Sequence, residues 1–200
     1  PLMVFGHLPR DIESSTTVVV DPEISKAYYA TLEGVQHTYT IDSVEDFSLF
    51  VGITVPLLER AETDFEIDIF AIDRDTAEKT LVQNLSAERE EWEEFYEPFA
   101  GDTYLSGPDY DTRQSAGEYE IVVSSPDNEG QYVLAIGKIE SFTITEIINV
   151  YKTLPGIKES YFDKPWYSAF LNVMTAALLT FTLVILLILW IVFRLIKRKQ

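Results

Sequence analysis

The chain has no cysteine and only two histidines in its 200 residues. Without cysteine there are no disulfide bonds, and thiol chemistry and cysteine-ligated zinc sites are excluded. His7 lies near the N-terminus, and His37 lies in a predicted strand, where we expect it to be half exposed. The sequence contains no Gly-x-Ser-x-Gly motif and no glycine-rich phosphate loop. These absences favour a protein that is not an enzyme.

Charged residues are missing from one long stretch, Pro165 to Phe193. A basic group follows it at once, consisting of Arg194, Lys197, Arg198 and Lys199. An α-helix rises about 1.5 Å per residue, so the part from Val173 to Phe193 can cross the roughly 30 Å hydrocarbon core of a bilayer. We therefore predict a transmembrane helix over residues 166–193 and a basic tail over 194–200.

The flanks of this span predict its orientation, because lysine and arginine near a span stay on the cytoplasmic side. The last seven residues hold four basic side chains. The preceding flank offers Lys158 and Lys164, offset by two acids. We expect a cytoplasmic C-terminus and an extracytoplasmic N-terminal domain in the cell membrane. The alternative is a tail-anchored protein with its domain in the cytosol.

Aromatic side chains mark both ends of the predicted span. Trp166 and Tyr167 precede it, and Trp190 lies near its basic end. Amphipathic rings of this kind prefer the headgroup layer of a bilayer. At the other end of the chain, we expect residues 1–15 to be a flexible terminus or the remnant of a removed signal peptide.

The predicted ectodomain is strongly acidic. Residues 1–165 keep all 33 acidic residues and 11 of the 15 basic ones, so their formal charge is 11 − 33 = −22. Such a domain repels nucleic acid and anionic headgroups. The charge fits a solvated exterior, and it would also attract divalent cations or a basic partner.

Short runs rich in valine, isoleucine, tyrosine and phenylalanine, separated by turn residues, predict a mainly β domain over residues 16–140. We expect an antiparallel, jelly-roll-like β-sandwich. The sequence Pro126-Asp127-Asn128-Glu129-Gly130 predicts a hairpin between the last two strands. The candidate strands run from Thr16 to Val20, Gln36 to Ile41, Phe47 to Thr54, Phe65 to Ile72, Lys79 to Gln83, Tyr119 to Ser124 and Tyr132 to Gly137.

A short amphipathic helix is predicted within the membrane-proximal residues 141–165. Thr143 can cap it, Glu146 completes a capping box, and Leu154-Pro155-Gly156 should end it. Its apolar face consists of Ile144, Ile147, Ile148 and Tyr151. That face could pack on the sandwich or lie on the bilayer surface.

The order of these strands resembles the pre-peptidase C-terminal type of β-sandwich, from about Val44 to Ile139. The residues that carry the resemblance are the runs Glu45 to Val51 and Asp64 to Phe70, a Gly-Glu-Tyr strand from Gly117 and a Gly-Gln-Tyr strand from Gly130. The stretch from Ser86 to Thr112 is longer than the family usually has, and we expect it to be an insertion. The resemblance implies an accessory module that assists binding or folding and has no catalytic residues.

This expected insertion contains the candidate site residues. Carboxylates on loops can bind Ca²⁺, and aromatic faces can bind sugars or peptides, although no dedicated calcium-loop spacing is present. Alternatively, Trp92, Phe95 and Phe99 cover an open end of the sandwich while the acids face solvent. The candidate aromatic surface is Trp92, Phe95, Tyr96, Phe99, Tyr104 and Tyr110, and the candidate metal ligands are Asp73, Asp75, Asp102, Asp109 and Asp111.

The sequence therefore predicts a single-pass membrane protein whose acidic β-sandwich is a non-catalytic binding or assembly module. Its expected partners are the bilayer and other membrane or surface proteins or glycans, with no nucleic acid. No resident cofactor is expected, although Ca²⁺ could bind. One alternative is an accessory subunit of a larger membrane complex. A remote one is an anchored hydrolase, for which Glu93 and Asp102 could supply two carboxylates.

Overall fold

Two facing β-sheets form the body of the protein. The structure is a computed structural model and describes residues 8–12, 14–86, 91–97, 101–141 and 144–197. The strands are β1 Leu8–Ile12, β2 Thr16–Val18, β3 Lys26–Glu33, β4 His37–Ser43, β5 Phe47–Pro56, β6 Glu66–Ile72, β7 Lys79–Ser86, β8 Glu93–Glu97, β9 Asp102–Gln114, β10 Gly117–Ser124 and β11 Glu129–Ile136.

Each sheet is mostly antiparallel. One has six strands in the order β1-β3-β11-β5-β9-β8, and the other has five in the order β2-β4-β10-β6-β7. Among the described strands, parallel pairing occurs between β1 and β3 and between β2 and β4. The predicted fold class, a mainly β protein with two packed sheets, is confirmed.

The hairpin predicted between the last two strands is wrong. β10 pairs with β4 and β6 in the five-stranded sheet, whereas β11 pairs with β3 and β5 in the six-stranded sheet. Asn128 and Gly130, both with positive φ, lie where the chain crosses between the sheets. Both β10 and β11 are apolar, and a central position in a sheet buries more of their apolar surface than an edge position would.

Four strands were missed, and two of them lie in the expected insertion. β9 pairs with β5 along nine residue pairs, and β8 pairs with β9 at the sheet edge. β8 and β9 are therefore integral strands of the six-stranded sheet. β3 was also missed, and β1 lies within residues 1–15, where we expected a flexible terminus.

The main core lies between the sheets, where alternate side chains of both meet. Its largest fully buried members include Tyr39, Tyr132 and Phe65. The hydroxyl of Tyr132 lies 2.9 Å from His37 Nδ1 and 2.9 Å from the hydroxyl of Tyr39. His37 is only 6% exposed, so the expectation that it is half exposed is wrong. The side chain of His37 lies on the inner face of β4, where the hydroxyl of Tyr132 is its hydrogen-bond partner.

A helix, α1 (Ile144–Phe162), covers part of the outer face of the six-stranded sheet. The helix continues through Pro155 and Gly156, so its predicted end is wrong. The packing of Ile157 and Phe162 on the sheet stabilises the turns beyond the proline. Ile148, on the predicted apolar face, is 50% exposed. The predicted cap, Thr143, lies outside the described residues.

After α1, a 3₁₀ helix (Trp166–Phe170) leads into the long helix α2 (Val173–Lys197). The part of α2 from Thr175 to Lys197 has a mean hydropathy of 2.9 and no buried residue in its most apolar window. It is long and apolar enough to cross a bilayer, and it could anchor the protein in a membrane.

Candidate functional site

Trp92, the first predicted surface aromatic, is a core residue. It is 7% exposed and belongs to the cluster between the sheets. Its indole fits against Gly107, where an added Cβ would lie 2.7 Å from two ring carbons. Within the described residues the indole Nε1 has no hydrogen-bond partner. Trp92 therefore closes the sandwich and does not face solvent.

Tyr104 and Phe95 lie in a second cluster, between α1 and the six-stranded sheet. Tyr104 is buried, and its hydroxyl lies 2.7 Å from that of Tyr29. Burial raises the pKa of both phenols, so both remain neutral.

Tyr96 and Tyr110 are not members of this cluster. Tyr96 is 59% exposed. Tyr110 is half buried and accepts a hydrogen bond from Gln114 Nε2 at 2.8 Å. Phe99 lies outside the described residues. The predicted aromatics that the structure describes therefore do not form one exposed surface.

The predicted metal ligands are also dispersed. Asp73 accepts hydrogen bonds from the backbone N–H groups of Asp75 and Thr76 at 3.0 and 2.8 Å, which lowers its pKa. Asp111 pairs with Lys138 at 2.5 Å. Asp109 lies two residues before Asp111 on β9, opposite Gly52. In the described part of the chain, no three His, Asp or Glu side chains are grouped so as to hold a metal ion.

Asp102, the fifth predicted ligand, instead forms a buried ion-pair group with two lysines. Its side chain is fully buried at the start of β9, and it pairs with Lys158 of α1, which is 1% exposed. Its other carboxylate oxygen accepts a hydrogen bond from Lys164 Nζ at 2.9 Å. Burial lowers the pKa of Lys158, and the carboxylate of Asp102 opposes this shift. The group fixes α1 to the sheet, because either charge alone would be costly to bury.

Solved structures that are similar to this fold include the following two. One is the pre-peptidase C-terminal domain of a collagenase from Bacillus anthracis, with 10% identity, a TM-score of 0.34, and coverage of 68% of this chain and 98% of that one. The other is CorA, a surface-associated copper-binding protein of Methylomicrobium album BG8, with 7% identity, a TM-score of 0.33, and coverage of 65% and 100%. No protein-family model and no curated protein matches the chain. The first structure belongs to the family that the Gly-Glu-Tyr and Gly-Gln-Tyr strands resemble.

The junction with the span is folded back on α1. The ring of Tyr151 stacks on that of Phe170 at 6.0 Å and 6°. The hydroxyl of Tyr151 also lies 3.2 Å from Thr175 Oγ1, near the start of α2. Lys164 Nζ lies 3.5 Å from the carbonyl oxygen of Gly101, the residue before β9. The sandwich is therefore joined to α2 by packed contacts.

The predicted anchor residues lie at the two ends of α2. Trp166, Tyr167 and Trp190 are 54–56% exposed. Arg194 lies over the Trp190 ring at 5.1 Å, and Lys197 lies over Phe193 at 4.8 Å. Arg198 and Lys199 lie outside the described residues.

The outer face of the five-stranded sheet, here called the open face, is not covered by any described helix. One row of paired residues crosses it, and the row runs Val18, Thr40, Glu120, Phe70 and Leu81. Val18 is 70% and Leu81 is 53% exposed. No local sequence pattern indicates this row, because each of the five strands contributes only one of its residues.

Acidic side chains flank the apolar residues of the open face. Asp42 and Glu118 share Arg74, whose Nε lies 3.7 Å from Glu118 Oε1. Glu120 pairs with Lys79 on the edge strand β7. Asp68 accepts a hydrogen bond from Asn84 Nδ2 at 2.7 Å. Exposed apolar side chains next to carboxylates can bind a partner that has both apolar and basic side chains.

Proposed function

We propose that this protein is a single-pass membrane protein whose β-sandwich is held outside the cytoplasm as a non-catalytic binding module. The observation that carries the proposal is the difference between the two outer faces of the sandwich. α1 covers one and leads to the span. The other, the open face, has Val18 and Leu81 exposed on its two edge strands and Phe70 half buried between them. The face covered by α1 thus attaches the sandwich to the membrane, and the open face binds the partner.

The proposed orientation rests on the basic end of α2. Arg194 and Lys197 lie in its last turn, and the tail adds two further basic residues. Lysine and arginine are retained on the cytoplasmic side of a span. The acidic domain then lies on the opposite side, where its charge keeps it soluble.

The proposed partner of the open face is a protein with basic and apolar side chains. The whole of residues 1–165 carries a formal charge of −22, which would accelerate association with a basic surface. Val18, Phe70 and Leu81 supply apolar contact area that binding needs beyond charge. Salt should weaken the interaction, because exposed charges are screened at high ionic strength.

The test uses cross-linking from single cysteines, which the cysteine-free chain allows directly. A photoreactive maleimide is attached to Leu81→Cys on the open face, or to Val44→Cys, a matched control that is 86% exposed in the β4–β5 turn. The purified full-length protein is mixed with native membrane extract. We expect a defined protein adduct from position 81, competed by unlabelled protein and reduced by high salt, and none from position 44.

Two results would contradict the proposal. Equal adducts from both positions would show that the open face has no special role. Adducts that persist with Phe70→Ser and at high salt would show that neither the apolar row nor charge mediates binding.

A further inference from the structure

The chain turns back after α1 in a way that brings α1 to the start of the span. The backbone N–H of Lys164 donates to the carbonyl of Lys158 at 2.9 Å, and Asp163 adopts a positive φ of 49°. The following 3₁₀ helix returns along α1, so that Phe170 reaches Tyr151. α2 therefore begins beside the middle of α1 and not beyond its end.

This arrangement gathers apolar side chains from two separate segments, and all of them except the half-buried Tyr151 are exposed. They are here called the interfacial platform, which comprises Ile148, Tyr151, Trp166, Tyr167, Phe170 and Leu171. Leu171 is 74% exposed, Trp166 is 56% and Ile148 is 50%. Exposed apolar groups that lie together on an otherwise acidic domain indicate a surface that contacts something other than water.

The position of the platform identifies the lipid surface as its partner. Thr175, the first residue of the candidate span, is the residue that the Tyr151 hydroxyl contacts. Tyr151 and its neighbours on α1 are therefore level with the point at which α2 enters the hydrocarbon. Tryptophan and tyrosine rings prefer that layer, where the ring is apolar and the polar group remains hydrated.

We propose that the interfacial platform lies in the headgroup layer. α1 and the 3₁₀ helix then contact the bilayer directly, in addition to their covalent connection to α2. The inference deepens the proposed function and depends on α2 spanning the membrane. The buried group of Asp102, Lys158 and Lys164 connects α1 to the sheet, so contact with the bilayer also fixes the tilt of the sandwich. Zwitterionic headgroups suit the platform better than anionic ones, because the domain itself is acidic.

The test measures the depth of single spin labels in the full chain, reconstituted in phosphatidylcholine nanodiscs. Labels are placed at Ile148→Cys and Leu171→Cys on the platform. Leu81→Cys, 53% exposed on the open face, is the aqueous control, and Phe181→Cys, 65% exposed on α2, is the hydrocarbon control. The readout is the accessibility of each label to oxygen and to a water-soluble nickel chelate.

The labels at positions 148 and 171 should have a nickel-chelate accessibility several-fold below that of position 81. Their accessibility should also be above that of position 181. If position 148 is as accessible as position 81 while position 181 is protected, the platform proposal is wrong and the span stands. If position 181 is also accessible to the chelate, the span itself fails, and the proposed function fails with it.

Discussion

At the scale of single residues, the core depends on a few close fits that the sequence does not reveal. Trp92 looks like a surface aromatic because four glutamates lie within two positions of it. Its indole is buried because Gly107, on the neighbouring strand, leaves room for it. His37 is likewise buried, since two tyrosine hydroxyls lie at the same depth in the core.

Two glycines should respond to alanine with opposite signs. In Gly107→Ala the new Cβ would lie 2.7 Å from the Trp92 ring and 3.0 Å from Ile53 Cγ2, so we expect a loss of about 1–3 kcal/mol in the free energy of unfolding. Gly156→Ala meets nothing within 4 Å in the interior of α1 and should stabilise the protein by about 0.5–1 kcal/mol. Urea unfolding of the full chain in detergent, followed by circular dichroism, measures both. A neutral Gly107→Ala would contradict the close fit.

Acidification should destabilise the protein in part through His37. Burial lowers the pKa of His37 below its usual 6.5, opposed by the carboxylate of Glu33. Between the two pKa values the unfolded state binds more protons, so stability is full above about 6.5 and falls as the pH decreases toward the folded-state pKa. The variant His37→Asn should show a smaller loss of stability between about pH 7 and 5.5. Identical slopes for the two proteins would exclude a role for His37.

At the scale of elements, strands in which apolar and polar residues clearly alternate were predicted, and strands with an irregular pattern were not. β6 shows buried Ile67 and Ile69 between more exposed neighbours, and its predicted bounds differ from those observed by one residue. β9 was missed because Gly107-Pro108 reads as a turn. In the fold this pair lies opposite Ile53, at an irregularity in the pairing with β5. A bulge of this kind tolerates a proline that a regular ladder would exclude.

Of the residues discussed as a candidate site, those near the apolar helix α2 are the ones that a local sequence pattern indicates. Trp166 and Tyr167 were found from the span that follows them, because that signal is continuous in the sequence. The pair between Asp102 and Lys158 joins residues 56 positions apart, and no local pattern indicates it. The row on the open face was also hidden, since strand register and not sequence distance brings its members together.

Docking of α1 should depend strongly on the buried pair. Asp102→Ala leaves Lys158 buried without its carboxylate, and we expect a loss of about 3–5 kcal/mol. Asp111→Ala removes an exposed pair with Lys138, in which both side chains are about half exposed, and should cost less than about 1 kcal/mol. Chemical denaturation measures the free energy of unfolding of both variants. Hydrogen exchange of the α1 backbone amides in Asp102→Ala shows whether the loss is accompanied by opening of α1. Equal losses would show that the buried pair has no special role.

At the scale of the whole molecule, the two ends of the chain are chemically opposite. Residues 1–165 carry a formal charge of −22, and the remaining residues carry four basic groups and no acid. The sequence predicted this division correctly as a sandwich followed by an apolar helix. It did not predict how the two meet, because the fold-back that places Phe170 on Tyr151 depends on contacts between distant segments.

The open face can bind an outside partner only if the sandwich lies outside the cytoplasm. A membrane-impermeant maleimide applied to intact cells that express single-cysteine variants tests this directly, because the chain has no cysteine of its own. Position 81 (Leu81→Cys) should be labelled in intact cells, and position 200 (Gln200→Cys) only after permeabilisation. Labelling of position 200 in intact cells, with position 81 protected until permeabilisation, would place the sandwich in the cytosol and contradict the account.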